Sequence, residues 1–146
     1  MTIRNYHSTD YPAIAEIYNA SKLDELKFED NHYQLLPLDL DAKRQFDLLN
    51  STIFVYDDPL IKGYSAVNGN TIQSLFVHPD FRGLGIGRAL LAFALQSIDG
   101  DATLQVVKSN TPSKTLYRAY GFSDIEESEA NYNGVNVTIN TMLRRR

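Results

Sequence analysis

Residues 78–91, HPDFRGLGIGRALL, join an extended, β-branched run to an amphipathic helix through three alternating glycines flanked by two arginines. No other stretch limits the fold as much. Thr71, Ile72, Phe76 and Val77 supply side chains suited to a central strand over 71–78. Beyond the glycines, Ile86, Ala89, Leu90, Phe93 and Ala94 recur at i, i+3, i+4, i+7 and i+8, one face of a helix, with Gly100 placed to end it. A further strand is expected at 102–107. Strand, loop, helix and strand in that order require a right-handed crossover between parallel or near-neighbour strands.

The flanks extend this into an α/β (α+β) chain with a mixed, mostly antiparallel sheet. Strands are expected over residues 2–6, 53–56 and 61–67, with Asp57-Asp58-Pro59 as a turn and Asn68-Gly69-Asn70 as a tight hairpin. Asp10 and Pro12 mark a helix start, after which Ile14, Ile17 and Tyr18 share a face. A second helix is expected at about 39–49 and a last one from Thr111 to about Tyr120, stopped by Gly121. Two strands around Asn133-Gly134 complete the chain. Residues 22–38 have no clean period and read as a short helix plus loop or as a mobile lid.

At 146 residues, 43% hydrophobic and 22% charged, the chain matches one soluble domain spanning 1–146. The absence of cysteine removes disulfides, thiolate metal sites and a cysteine nucleophile, and His7, His32 and His78 lack metal-ligand spacing, so no metal is expected. The N-terminus lacks an apolar signal core and no apolar run is long enough to span a bilayer, so a cytoplasmic protein without membrane contact is expected. Net charge is −4, against nonspecific nucleic-acid binding, and Arg144-Arg145-Arg146 is a weak countersignal. Charge is unevenly spread. Residues 23–47 hold seven acidic against three basic side chains, and residues 82–118 hold five basic against two acidic. If both segments border one site, it has an anionic and a cationic side.

A glycine-rich turn entering a helix offers unpaired backbone N–H groups and the positive end of the helix dipole, a phosphate cradle. The dinucleotide pattern G-x-G-x-x-G fails, because Arg88 or Leu90 stands at its last glycine, and the Walker pattern fails at Gly87-Arg88-Ala89. What the loop does match is Arg-x-x-Gly-x-Gly/Ala, written Arg82-Gly83-Leu84-Gly85-Ile86-Gly87. With Leu75-Phe76-Val77 before it, and with Asn110 and Leu116-Tyr117-Arg118-Ala119-Tyr120-Gly121-Phe122 after it, residues 71–122 resemble the GNAT superfamily of N-acetyltransferases.

That resemblance implies a sheet with a splayed strand pair and acetyl-CoA as co-substrate in the cleft between residues 71–78 and 102–107. Backbone groups of Leu75, Phe76 and Val77 would pair with the pantetheine arm, one of them polarising the thioester carbonyl. The amides of Gly83, Leu84, Gly85, Ile86, Gly87 and Arg88 would hold the pyrophosphate. Arg82 and Arg88 would add charge-assisted contacts, and Asn110 would hydrogen-bond the cofactor. Tyr117 stands at the family's general-acid position and Tyr120 is expected to pack. Where some members carry a glutamate base, this chain has Gln73 and Gln105, neither able to accept a proton. The base is then a water chain ordered by these glutamines, or a carboxylate such as Glu25 or Glu29. The expected acceptor is a primary amine of a cationic small molecule or peptide, served by a monomer or homodimer. A non-catalytic acyl-CoA-binding regulatory domain is the alternative.

Overall fold

The structure is a computed structural model that describes residues 2–146. Seven strands form one sheet: β1 (Ile3–Asn5), β2 (Thr52–Asp57), β3 (Ile61–Asn68), β4 (Thr71–Val77), β5 (Ala102–Val107), β6 (Phe122–Tyr132) and β7 (Val135–Arg144). Their order is β1-β2-β3-β4-β5-β7-β6, and every neighbouring pair is antiparallel except β4–β5. The expected mixed, mostly antiparallel sheet is what forms. Helices α1 (Tyr11–Ser21) and α2 (Ala42–Leu49) cover one face, where Ile14, Ile17, Tyr18 and Leu48 pack on Val55, Tyr64 and Ala66. Helix α3 (Ile86–Gln96) covers the other, its Ile86, Leu90, Leu91 and Ala94 buried against Ile72, Leu104 and Val106, with α4 (Thr111–Ala119) beside it through Leu116 and Tyr117.

Turn chemistry sets the register. Gly69 has φ +60 in the β3–β4 hairpin, and Asn133 and Gly134 have φ 49 and 89 between β6 and β7, as a two-residue turn between twisted strands requires. Two expected boundaries move. Helix α2 begins at Ala42 because Leu38–Leu40 forms its own 3₁₀ turn and Asp41 caps the helix, accepting a hydrogen bond from the Arg44 amide. Helix α3 ends at Gln96, and Gly100 (φ +105) serves the bend into β5 instead.

Residues 22–38 open with a 3₁₀ turn, Lys22–Leu26, and are then tied down. Tyr33 Oη donates to Asn136 O at 2.7 Å, and Leu36 N donates to Tyr132 Oη at 2.9 Å. Leu26 and Tyr33 pack with Tyr132 and Val137 in a small core of their own. The segment is a wall fastened to β6 and β7, which favours the helix-plus-loop alternative over a lid.

Helix α3 sits close to the sheet because β3 carries Gly63 beneath it. A Cβ there would stand 2.9 Å from Phe76 O, 3.1 Å from Leu90 Cδ1 and 3.3 Å from Ile86 Cγ2. Gly63→Ala is therefore expected to destabilise the fold by about 1–3 kcal/mol, the range for overpacking a filled core, measured as a lower urea midpoint at unchanged slope.

At the opposite edge, Arg4 bridges Asp10 (2.8 Å) and Asp57 (3.0 Å), tying β1 to β2 and to the start of α1. Hydrogen bonding to Arg4, partly opposed by burial, holds the Asp10 carboxyl below its ordinary range. A depressed folded value gives stability that is present above the unfolded pKa and lost as pH falls through the folded one. Asp10→Asn should lower the thermal midpoint at neutral pH, with the gap from the parent closing in acid.

Candidate functional site

Gln73 has no partner in the β3–β4 ladder: Ile72 faces Val67 and Ser74 faces Ala66, so β4 carries one extra residue. A bulge of this kind bends its strand and increases the local twist. The consequence appears on the other side of β4. Only Thr71↔Thr103 and Ile72↔Leu104 pair in parallel, and the two strands part after them. Strand β4 stays paired to β3 as far as Val77 and β5 to β7 over its whole length, so the sheet opens between β4 and β5 alone.

The gap opens into a cleft of ≈ 670 Å³. Gln73, Leu75, Phe76 and Val77 line it from β4, Gln105 from β5, and Asn110 and Tyr117 from the start and the middle of α4. Arg82, Gly83, Gly85, Ile86, Gly87 and Arg88 line it from the loop. Of the residues that the sequence marks as candidates, two lie elsewhere. Leu84 is 68% exposed and does not line the cleft, its side chain turned to solvent at the loop's apex. Glu29 is also off the cleft, where its carboxylate accepts a hydrogen bond from Ser109 Oγ.

The loop's shape follows from its glycines. Gly83 (φ +78) and Gly85 (φ +83) occupy left-handed backbone, and Gly85 is the residue before α3. No side chain caps that helix and its first turn has no acidic residue, so its leading amides face the cleft without an acceptor from the protein. Asn110 stands at the equivalent place before α4, also without a capping bond from its side chain.

Arg82 is held by partners within the protein. Its guanidinium donates to Val77 O at 3.1 Å and to Asp24 Oδ2 at 2.5 Å, closing the loop against residues 22–26. The anionic and cationic segments do border one cleft, but their charges meet in pairs. Lys22 Nζ lies 3.1 Å from Glu25 Oε1 and 5.0 Å from the Tyr132 ring centre. Burial lowers the Lys22 pKa, with Glu25 opposing it. Tyr117 packs edge-on against Phe122, and burial first, then the Glu25 charge, pushes its phenol well above the ordinary tyrosine value.

The arrangement offers a row of amides for an anionic group, a strand with a free edge, a protonated phenol and two carboxylates, Asp24 bonded to Arg82 and Glu25 beside Lys22. Comparison with known proteins agrees with it. Residues 25–142 match the family model described as an acetyltransferase (GNAT) domain. The chain belongs to the GNAT acetyltransferase family. A peptidyl-lysine N-acetyltransferase of Salmonella typhimurium, YjaB, is 36% identical over 73 residues, which is 50% of this chain and 48% of that protein. The chain thus matches about half the length of this curated relative. A GCN5-related N-acetyltransferase from Rhodopseudomonas palustris superposes with a TM-score of 0.78 at 19% identity, over 99% of this chain and 94% of that one. The putative acetyltransferase yncA of Salmonella typhimurium, solved with acetyl-CoA, gives 0.72 at 23% identity, over 99% and 93%.

Several residues of the cleft and of the cavity next to it escaped the sequence reading: Arg44 and Tyr132 line both, Tyr18 and Tyr64 the second alone. Tyr18 was legible only as part of a helix face, and Arg44 only as a charge in a count. Tyr64 and Tyr132 lie in strands whose pattern signals burial without saying what their hydroxyls meet. Among the described residues no group of His, Asp or Glu could hold a metal ion, and no helix is long and apolar enough to cross a membrane.

The two kinds of loop glycine are separable. Gly85→Ala should cost about 1–2 kcal/mol for forcing an L-residue into left-handed backbone. At Gly87 a Cβ would meet only Val77 Cγ2, at 3.7 Å, so Gly87→Ala should be neutral or stabilising by up to about 1 kcal/mol. Denaturant midpoints of the two variants check the contrast.

Proposed function

We propose that this chain transfers the acetyl group of acetyl-CoA directly to a primary amine. The observation that carries the reading is the parting of β4 from β5 at Gln73, which opens a cleft also lined by the left-handed glycine loop and Tyr117. The amides from Gly83 to Arg88 hold the pyrophosphate, with Arg88 adding charge; Asn110 donates to the pantetheine arm. Arg82 joins the phosphates by exchanging Asp24 for them. The edge of β4 at Leu75–Val77 takes the arm as an extra strand and aims one N–H at the thioester carbonyl oxygen, a fixed donor that needs no reorganisation as charge develops there. The relative YjaB is a peptidyl-lysine N-acetyltransferase, which supports the amine, and the neighbour yncA was solved with acetyl-CoA, which supports the donor.

The acceptor arrives as an ammonium of a peptide or small molecule. Glu25, the cleft carboxylate that is not bonded to Arg82, takes its proton through water held by Gln73 and Gln105. As the amine nitrogen bonds the carbonyl carbon and the carbon–sulfur bond breaks, Tyr117 donates its hydroxyl proton to the departing sulfur, and the second proton leaving the nitrogen passes through the same water to restore the Tyr117 hydroxyl. The protein acts in the cytoplasm as a monomer or homodimer. A regulatory domain that binds acyl-CoA without turnover is the second reading, favoured by glutamine at both positions where a base is expected; binding of acetyl-CoA with no thiol release across a broad amine panel would establish it.

Tyr117→Phe should lower kcat about a hundredfold, as loss of a positioned acid does, while acetyl-CoA affinity by calorimetry is unchanged. Because the Tyr117 phenol is raised above its ordinary value of about 10, the rate should climb with pH as the amine deprotonates and show no downturn from tyrosine ionisation below about pH 10. A downturn that Tyr117→Phe does not move would assign the limb to another group.

A further inference from the structure

A second cavity, of ≈ 610 Å³, lies on the α1/α2 face over the β4–β5 junction. It meets the first at Arg44, Gln73, Ser74, Gln105 and Tyr132, which line both. Its wall contains three buried hydrogen-bond donors with no partner: Tyr18 Oη, Tyr64 Oη and Arg44 Nε. Tyr18 is 1% exposed and Tyr64 0%. Phe76 packs against both rings, with ring centres 5.6 Å from Tyr18 and 5.8 Å from Tyr64. The Arg44 guanidinium lies 5.8 Å from the Tyr18 ring centre, and its nearest carboxylate oxygen, Asp41 Oδ2, stands 3.6 Å from Nε, beyond hydrogen-bond reach. Asp41 Oδ1 is already engaged by the Arg44 amide.

Leaving a buried donor unmatched is costly, and three around one cavity lack an acceptor in common. Burial raises both phenols, so they stay protonated and able to donate. A guanidinium and two hydroxyls lining one cavity match a planar anion with two acceptor oxygens, where the fork of Arg44 meets one edge. The other acids of this wall are occupied: Asp47 pairs with Lys43 at 2.9 Å, and Asp41 caps α2.

We propose that Arg44, Tyr18 and Tyr64 form a carboxylate-binding subsite, so that the acetylated amine belongs to a molecule that also carries a carboxylate, as a free amino acid or the carboxyl end of a peptide does. The inference rests on the acetyl-transfer reading above. It makes the acceptor zwitterionic, with its carboxylate on Arg44 and its amine reaching past Gln73 and Gln105 toward the thioester.

The test pairs L-amino acids and lysine-terminated peptides, each as free acid and as carboxamide, with acetyl-CoA in a thiol-release assay. The free acids should exceed their carboxamides in kcat/KM by about tenfold or more, mostly through KM. Arg44→Gln should erase that preference, Arg44→Lys should retain part of it, and Tyr18→Phe and Tyr64→Phe should each reduce it, all with unchanged acetyl-CoA affinity. Which free acid is preferred identifies the source, amino acid or peptide. Carboxamides used as well as free acids, or an Arg44→Gln loss equal for both forms, would overturn the subsite. If no amine turns over, the acetyl-transfer reading fails on its own, and calorimetric titration of the same pairs into the coenzyme A complex decides the subsite: tighter binding of the acids, lost in Arg44→Gln, upholds it, and equal binding sinks it.

Discussion

Between Ile72 and Ser74 the extra residue Gln73 breaks the regular step of β4, and after two parallel pairs β5 no longer follows it. A sheet interior normally satisfies every backbone group with its neighbours, so two central strands that part leave edges in the middle of the molecule. Such edges require either water or a ligand backbone. The other parts of the site are arranged around this gap: the glycine loop at one end, α4 with Tyr117 beneath, and residues 22–26 across the mouth.

The electrostatics of the cleft depend on pairing more than on totals. Asp24 meets Arg82, Glu25 meets Lys22, and Asp41 lies against Arg44. A surplus of acids counted along the chain therefore does not become a uniformly negative wall. Exposed pairs such as Arg82–Asp24 contribute little stability and are readily exchanged, which suits a side chain that must change partners when a phosphate arrives.

Much of this was legible from residue order. Turn positions declared themselves because Gly69, Asn133 and Gly134 must adopt backbone that other residues avoid, and the crossover followed from one strand–loop–helix–strand run. The loop and Asn110, Tyr117, Gln73 and Gln105 all came to line one cleft. What stayed hidden depends on contacts between distant segments. A tyrosine in a strand reads as apolar filler, and nothing in the sequence says that the hydroxyls of Tyr18 and Tyr64 end without partners beside Arg44. Residues 22–38 were unreadable for the same reason: their order comes from β6 and β7, over a hundred positions away for Tyr33 and Asn136, and from no period of their own.

Gly63 lies outside the cleft, yet it fixes how deep α3 sits. With no side chain beneath it, the helix rests on the Phe76 carbonyl region, and the amides at its leading end are held at a set height beside the edge of β4. The distance between where an anion would be gripped and where a strand-like arm would lie is thus gauged by a missing methyl group on the neighbouring strand. One carbon atom added there would act as a shim, pressing on Phe76 from one strand and Ile86 from the helix and so lifting one half of the site relative to the other.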